Sequence, residues 1–348
     1  MQKLILIITL ILAYTTIAFA QDDLIIVEND IVIVEEPSLT FSGSIDAYYR
    51  ANLGADFDAA PGTSFANLPG FSLGMANIIA SQQGKNFGFT ADLVFGPRGE
   101  DATFLSPVLR PGGSSNIVNQ LYAYWNVSDA FTLTLGNFNT FLGYEVISPT
   151  GNFNYSTSYM FSYGPFSHTG LKADITLSEG FTLMAGVFNP TDATEFNPTN
   201  DYAGGLQLGY ESGGLGVWLN GLFSDGFSQF DITAGYNISE TIYVGLNATT
   251  ASDSFSGIAG YFQVATSDAL KLGLRVEQFT DRGLGLFVPE GDDNESVVDF
   301  TISANYSVGS LTIIPEFRLD AFSTDIVPND GSLDSSLSSF VLAAVYGF

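Results

Sequence analysis

One pattern runs through this chain: a bulky apolar residue, then a small or polar one, with a period of two. Over 337–348, Ser338, Phe340, Leu342, Ala344, Tyr346 and Phe348 alternate with Ser339, Val341, Ala343, Val345 and Gly347. Over 269–280, Leu270, Leu272, Leu274 and Val276 alternate with Lys271, Gly273, Arg275 and Glu277. Over 311–322, Leu311, Ile313, Pro315, Phe317 and Leu319 alternate with Thr312, Ile314, Glu316, Arg318 and Asp320. A strand turns successive side chains to opposite faces, so these segments are strands between two different solvents. A soluble sandwich would pack the apolar face on a second sheet. A membrane barrel turns it to lipid and lines water with the other face.

The number and spacing of such segments decide between the two. Alternating segments bounded by turn residues fall near 39–51, 71–82, 86–97, 116–127, 130–142, 166–177, 181–190 and 201–211. Others fall near 215–224, 228–238, 241–250, 256–266, 269–280, 296–307, 311–322 and 337–348. That is about sixteen, or fourteen to eighteen given how loosely sequence fixes strand ends. Connections alternate in length. Gly84, Ser128-Asp129, Ser178-Glu179-Gly180, Ser212-Gly213, Ser239-Glu240, Ser267-Asp268 and Val308-Gly309 mark tight turns. The segments 52–70, 98–115, 143–165, 191–200, 281–295 and 323–336 are longer. The expected fold is therefore all-β: a transmembrane antiparallel barrel with short periplasmic turns and long extracellular loops. Only a closed sheet hides every edge from lipid, and an even count brings both ends of the sheet to the short-turn side.

Composition narrows function. Lys and Arg number 10 against 37 Asp and Glu, a formal charge of −27, so nucleic acid is not an expected partner. With no cysteine, thiolate metal sites and cysteine nucleophiles are excluded. With only His168, so are sites built from several histidines. No cofactor and no metal are expected. The acids Glu290, Asp292, Asp293 and Glu295, and Asp325, Asp330 and Asp334, lack the spacing of a calcium loop. His168 falls on the inward face with Lys172 and Asp174, but no serine is singled out beside it, so no enzyme is expected.

The N-terminus reads as a cleaved signal peptide over 1–20. Lys3 is followed by apolar Leu4 to Leu12 and by Ala18-Phe19-Ala20, a small-residue cleavage site before Gln21. Residues 21–37 carry acids and read as a periplasmic segment. Residues 38–348 are the barrel, placed in the cell outer membrane. Phe348, with Tyr346, Leu342 and Phe340 on its face, reads as a signal to the barrel-assembly machinery. Outer-membrane lipid is the other partner, and association into a homo-oligomer is left open.

With bulky residues assigned outward, the inward charges are Asp46, Arg50, Asp92, Lys172, Asp174, Asp231, Lys271, Arg275, Glu277, Asp299, Glu316, Arg318 and Asp320. An Arg or Lys facing lipid at mid-depth would cost about 2–4 kcal/mol. These residues are expected to line the pore. Arg50, Lys271, Arg275 and Arg318 either form a basic wall facing the acids, or each base neutralises a neighbouring acid. The loop 143–165 holds six aromatic rings and little charge, and its length suits a functional loop. It is expected to fold inward as a constriction carrying Glu145, Tyr155, Tyr159, Phe161 and Tyr163.

The stretch Thr140-Phe141-Leu142-Gly143-Tyr144-Glu145, then Ser148-Pro149-Thr150-Gly151-Asn152-Phe153-Asn154-Tyr155-Ser156, resembles the OmpL-like putative beta-barrel porin-2 family, common in Bacteroidota. Ser162-Tyr163-Gly164-Pro165-Phe166 and His168-Thr169-Gly170-Leu171-Lys172-Ala173 continue the likeness. The resemblance implies an outer-membrane channel with no catalytic residues. The expected function is passive diffusion of small hydrophilic solutes through a water-filled lumen. Two alternatives remain: a substrate-selective channel, with sugars stacking on Tyr155, Tyr159, Phe161 and Tyr163, or a plugged structural or adhesive surface barrel.

Overall fold

The protein is described by a computed structural model that covers residues 38–287 and 295–348. The expectations for 1–20, for 21–37 and for Glu290, Asp292 and Asp293 lie outside those residues. The barrel strands run in chain order: β1 (Leu39–Asn52), β2 (Gly70–Gln83), β3 (Phe87–Phe95), β4 (Val118–Ser128), β5 (Phe131–Asn139), β6 (Ser167–Ser178), β7 (Phe181–Phe188) and β8 (Ala203–Ser212). Then come β9 (Leu215–Ser224), β10 (Phe227–Asn237), β11 (Ile242–Ala251), β12 (Phe255–Ala265), β13 (Leu270–Asp281), β14 (Ser296–Val308), β15 (Leu311–Phe322) and β18 (Ser336–Gly347). Each pairs with its chain neighbours, and β18 pairs with β1, closing a sixteen-stranded barrel in which every ladder is antiparallel.

The alternation does what the period requires. Phe71 is 92% exposed and Leu73 69%, on an outer band shared with Leu135, Ile302 and Leu342. No soluble core would leave so many large apolar side chains bare; lipid is their solvent. The opposite positions, such as Arg50, Asp92, Glu277 and Asp320, are buried inside. Two irregularities shape the wall. Ile45 and Ala47 pair with Ala76 and Leu73, so two residues of β2 oppose Asp46 alone, a bulge that releases the Met75 N–H. Asp46 Oδ1 accepts that N–H at 3.0 Å. On β15, Pro315 has no N–H to give, and the β14 ladder skips from Glu316 to Ile313.

The seven turns on one rim are short. The other rim carries the long connections and two tight hairpins, at Asp225-Gly226 and at 252–254. Sequence period misses what those long connections contain. The segment between β3 and β4 holds two short helices, α1 (Pro97–Ala102) and α2 (Ser106–Leu109). The segment between β15 and β18 folds its own hairpin, β16 (Val327–Asn329) with β17 (Ser332–Asp334). The strand expected over 130–142 stops at Asn139, because Thr140 Oγ1 accepts the Leu142 N–H at 3.1 Å and turns the chain inward. The inward loop thus starts earlier than 143 and includes a one-turn helix, α3 (Tyr159–Tyr163).

Candidate functional site

The segment from Thr140 to Phe166 passes through the barrel interior. A chain crossing a lumen must find partners for its backbone donors and acceptors. Here carboxylates take the donors. Glu316 accepts from the N–H of Tyr155 (2.7 Å) and of Ser156 (3.0 Å). Glu145 accepts from Ser158 at 2.7 Å. Glu277 accepts from Tyr159 and Met160, both at 2.8 Å. The Ser158 hydroxyl caps α3 by accepting from Phe161 at 3.1 Å, so the first turn of the helix leaves none of these donors free.

Guanidinium groups take the acceptors. Arg275 donates to Ser156 O at 2.8 Å and Arg318 to Thr157 O at 2.7 Å. Arg98, on α1 and outside the inward set expected from sequence, donates to Ile147 O (2.8 Å) and Tyr155 O (3.2 Å) and lies over the Phe65 ring. Behind the loop these charges are paired. Arg275 Nε meets Asp299 at 2.8 Å and its Nη1 meets Glu145 at 2.7 Å. Arg318 Nη2 meets Asp320 at 2.7 Å. All are essentially fully buried, where a charge without a partner would be very costly.

This arrangement decides between two alternatives for the bases and removes one for the loop. Arg275 and Arg318 do not form a basic wall facing water, because their strands β13 and β15 flank Asp299 on β14 and the loop covers them all. Arg50 is buried apart from them and donates to Asn52 (2.8 Å) and Ala59 O (3.0 Å). Lys172 pairs with Asp174 at 2.8 Å, and Lys271 is exposed near the short-turn rim. Nor can Tyr155, Tyr159 or Phe161 stack a solute. They are 1%, 0% and 7% exposed, with Tyr155 Oη on Asp46 and Tyr159 Oη on Asp320 and Pro61 O. The two tyrosine hydroxyls hold their rings to the wall, and Phe161 packs on Phe65 and Phe166. Of the four, Tyr163 alone stays half-buried and faces a cavity.

The inward acids on the other side of the barrel have amide partners instead. Asp231 accepts from Asn220 (2.8 Å), Asn247 (2.6 Å), Thr233 (3.1 Å) and the Gly143 N–H (3.1 Å). Asp92 accepts from Asn77 (3.2 Å), Asn119 (2.6 Å) and Gln120 (3.3 Å). Neither has a base at ion-pair distance among the described residues. Period two could place these amides inward, but only charge made an inward residue conspicuous, so they escaped the sequence reading.

Open space lies beside the loop. A cavity of about 950 Å³ opens toward the long-loop rim, lined by Tyr163, Phe166, Asp192, Tyr202, Phe227 and neighbours. Burial pushes the carboxyl of Asp192 up to about 6, although Oδ1 accepts from Phe166 and Ser167. Toward the short-turn rim lie spaces of about 370 and 380 Å³, which share Phe141. Beside the loop is also a narrow gap, a space of about 10 Å³. Loop residues Met160, Gly164 and Pro165 face Gln229, Asn247 and Thr249 across it. His168 is buried between Phe141 and Phe188, with Nε2 3.0 Å from Thr140 Oγ1. Among the described residues no group of acids and histidine could hold a metal.

Solved structures share the architecture. OmpT, an outer membrane protein of Vibrio cholerae, superposes with a TM-score of 0.57 at 14% identity, covering 92% of this chain and all of that one. Its trimer form gives the same TM-score and identity over 90% of this chain. A mutant of Rh. blastica porin gives a TM-score of 0.53 at 12% identity over 89% of this chain and all of its own. At such identities the likeness speaks for the fold. No curated protein matches the sequence. The family described as putative beta-barrel porin-2, OmpL-like, matches residues 38–348, the whole barrel, and the chain belongs to that family of outer-membrane porins.

Proposed function

We propose that the barrel passes small hydrophilic solutes by diffusion, and that the inward loop sets their size. The observation that carries this is the loop 140–166 crossing the barrel interior, with Met160, Gly164 and Pro165 facing Gln229, Asn247 and Thr249 across a narrow gap and wider spaces of about 950 and 370 Å³ beside it. The inward charges Asp46, Arg50, Asp92, Lys172, Asp174, Lys271, Arg275, Glu277, Glu316, Arg318 and Asp320 divide by role in this reading. Those bonded to the loop hold the constriction in place. Those beside open space, with Asp231 at the gap, bias which ions enter. Single-channel conductance of the folded protein in a planar bilayer, with neutral polymers of graded size added, tests the proposal. A stable conductance with a sharp size cut-off is expected. A barrel that passes no KCl would be the plugged structural barrel instead.

The reading includes export by the cleaved 1–20 segment, insertion prompted by Phe348 and Tyr346, and long loops outside the cell. Phe348 supports the seam directly: its N–H and C=O both bond Gly43, each at 3.0 Å. Phe348→Ser should lower the folded fraction in a heat-shift gel. A cysteine at exposed Thr199 should label on whole cells with an impermeant maleimide, and one at Ser128 should not. The reverse labelling would invert the orientation.

A further inference from the structure

Inward glycines in this barrel are not open floor. A Cβ at Gly216 would lie 2.5 Å from the Trp218 ring, and one at Gly209 would lie 3.0 Å from it. One at Gly235 would meet Tyr243 at 2.3 Å, one at Gly245 Tyr144 at 2.8 Å, and one at Gly88 Tyr124 at 2.3 Å. Each ring lies across bare backbone on the wall that carries no arginine, in space a side chain would fill. A ring seated on backbone keeps one face for the lumen. Trp218, Tyr243, Tyr144 and Phe141 border one continuous space of about 370 Å³. That is within the range of small-molecule sites.

The polar groups at this space are neutral. Gln207, Asn220, Gln263 and Thr233 border it, and among the described residues no carboxylate or base does. Gln207 Nε2 is committed to Phe141 O and Asn220, which leaves its Oε1 unused. The Gln263 amide has no hydrogen-bond partner among the described residues. Aromatic faces with unspent amides, and no net charge, match one ligand chemistry. A pyranose offers an apolar C–H face for stacking and a rim of hydroxyls that both donate and accept. An ion would gain little in a space with no charge to meet it.

We infer that this Trp218–Tyr243–Tyr144 surface is a binding track for neutral sugars, below the gap and on the wall opposite the arginines. The inference rests on the channel reading and names its substrate class. It differs from stacking on the loop's own Tyr155 and Tyr159, whose rings are sealed.

The test is KCl current through the full barrel in a planar bilayer, with maltotriose added. Sugar should interrupt the current in a saturable way. Trp218→Ala and Tyr243→Ala, shown folded by heat-shift gel, should each raise the half-blocking concentration about five- to tenfold, the scale of one lost aromatic contact. Trp218→Phe should restore part of the effect. Current that ignores the sugar overturns the track while leaving the channel intact. Equal block by a polyethylene glycol of the same size also overturns it, because sieving then suffices. If no KCl current flows, the channel reading fails, and Trp218 fluorescence decides the track in the folded Trp125→Phe barrel. A saturable change with maltotriose supports it, and none overturns it.

Discussion

On β13, β14 and β15, the buried acids Asp299 and Asp320 lie against Arg275 and Arg318. On β10, equally buried Asp231 lies against Asn220, Asn247 and Thr233. The first wall is locked to the loop, and its geometry has little freedom: a guanidinium fork demands its carboxylates in fixed places. The second adjoins the gap and the open lumen, where amides can exchange donor for acceptor by turning over. The difference separates two tasks within one sheet. Full charges hold the loop against the wall, and neutral dipoles face what passes. A carboxylate in a lumen is therefore no measure of its field in the water, since that depends on what neutralises it.

The comparison breaks most easily at Arg275. Arg275→Met leaves Glu145 without its base in a dry site, and Asp299 with only the longer contact to Arg318 at 3.7 Å, and should cost about 3–5 kcal/mol of folding stability. The urea midpoint on a heat-shift gel reads it, and any folded fraction should conduct more because the loop is freed. A change below about 1 kcal/mol, within the range of exposed ion pairs, would remove the distinction between the walls.

Asp192 is a third case, held by backbone N–H groups alone. Its folded pKa of about 6 lies above the unfolded value, so its protonated form is favoured in the fold. Stability from this group is then full below about pH 4, declines as pH rises through about 6, and is flat above about 7, by at most about 3 kcal/mol. Asp192 has φ of +62°, a conformation asparagine tolerates. Asp192→Asn should flatten the slope of the urea midpoint between those limits; an unchanged slope would assign it to another group.

Asp231→Asn should be mild, at about 1 kcal/mol, because Asn247 can turn its amide to suit the new partner. A loss as large as that at Arg275 would show that the amide wall is as rigid as the ionic one. The smallest effect is electrical. Asp231 beside the gap, with no base at ion-pair distance among the described residues, should give a slight cation preference that fades as salt rises. Asp231→Asn should lower the permeability ratio about twofold in zero-current potential across a KCl gradient. Arg275→Gln, behind the loop, should shift the potential less than Asp231→Asn does. The opposite ranking would return the arginines to the pore.

All sixteen barrel strands were legible, because lipid on one side and polar interior on the other impose period two on every strand. The hairpin Val327–Asp334 and the helices α1 to α3 were not, since short segments under a rim face no such pair of solvents. Inward placement of Arg275, Glu277 and Arg318 was legible for the same reason as the strands. Their burial was not: alternation reports a face, and only the path of 140–166 decides whether that face meets water or backbone. Arg98 left no signal, since it sits in the first turn of the short helix α1, between Pro97 and Gly99, with no period to read.

The seam pairs Ser44 with Gly347, 303 positions apart in the chain. Joining two such residues in an open chain would cost about 5 kcal/mol in loop-closure entropy alone. Joined after the other fifteen ladders have curled the sheet, the same edges arrive already facing each other. The cheap order of events is therefore hairpin by hairpin, with β1 and β18 meeting last. Until then both carry open rows of N–H and C=O groups, which are templates for pairing with any other edge. Closure is a race between self-pairing and pairing with a neighbour, and the doubled bond between Gly43 and Phe348 is its finishing line.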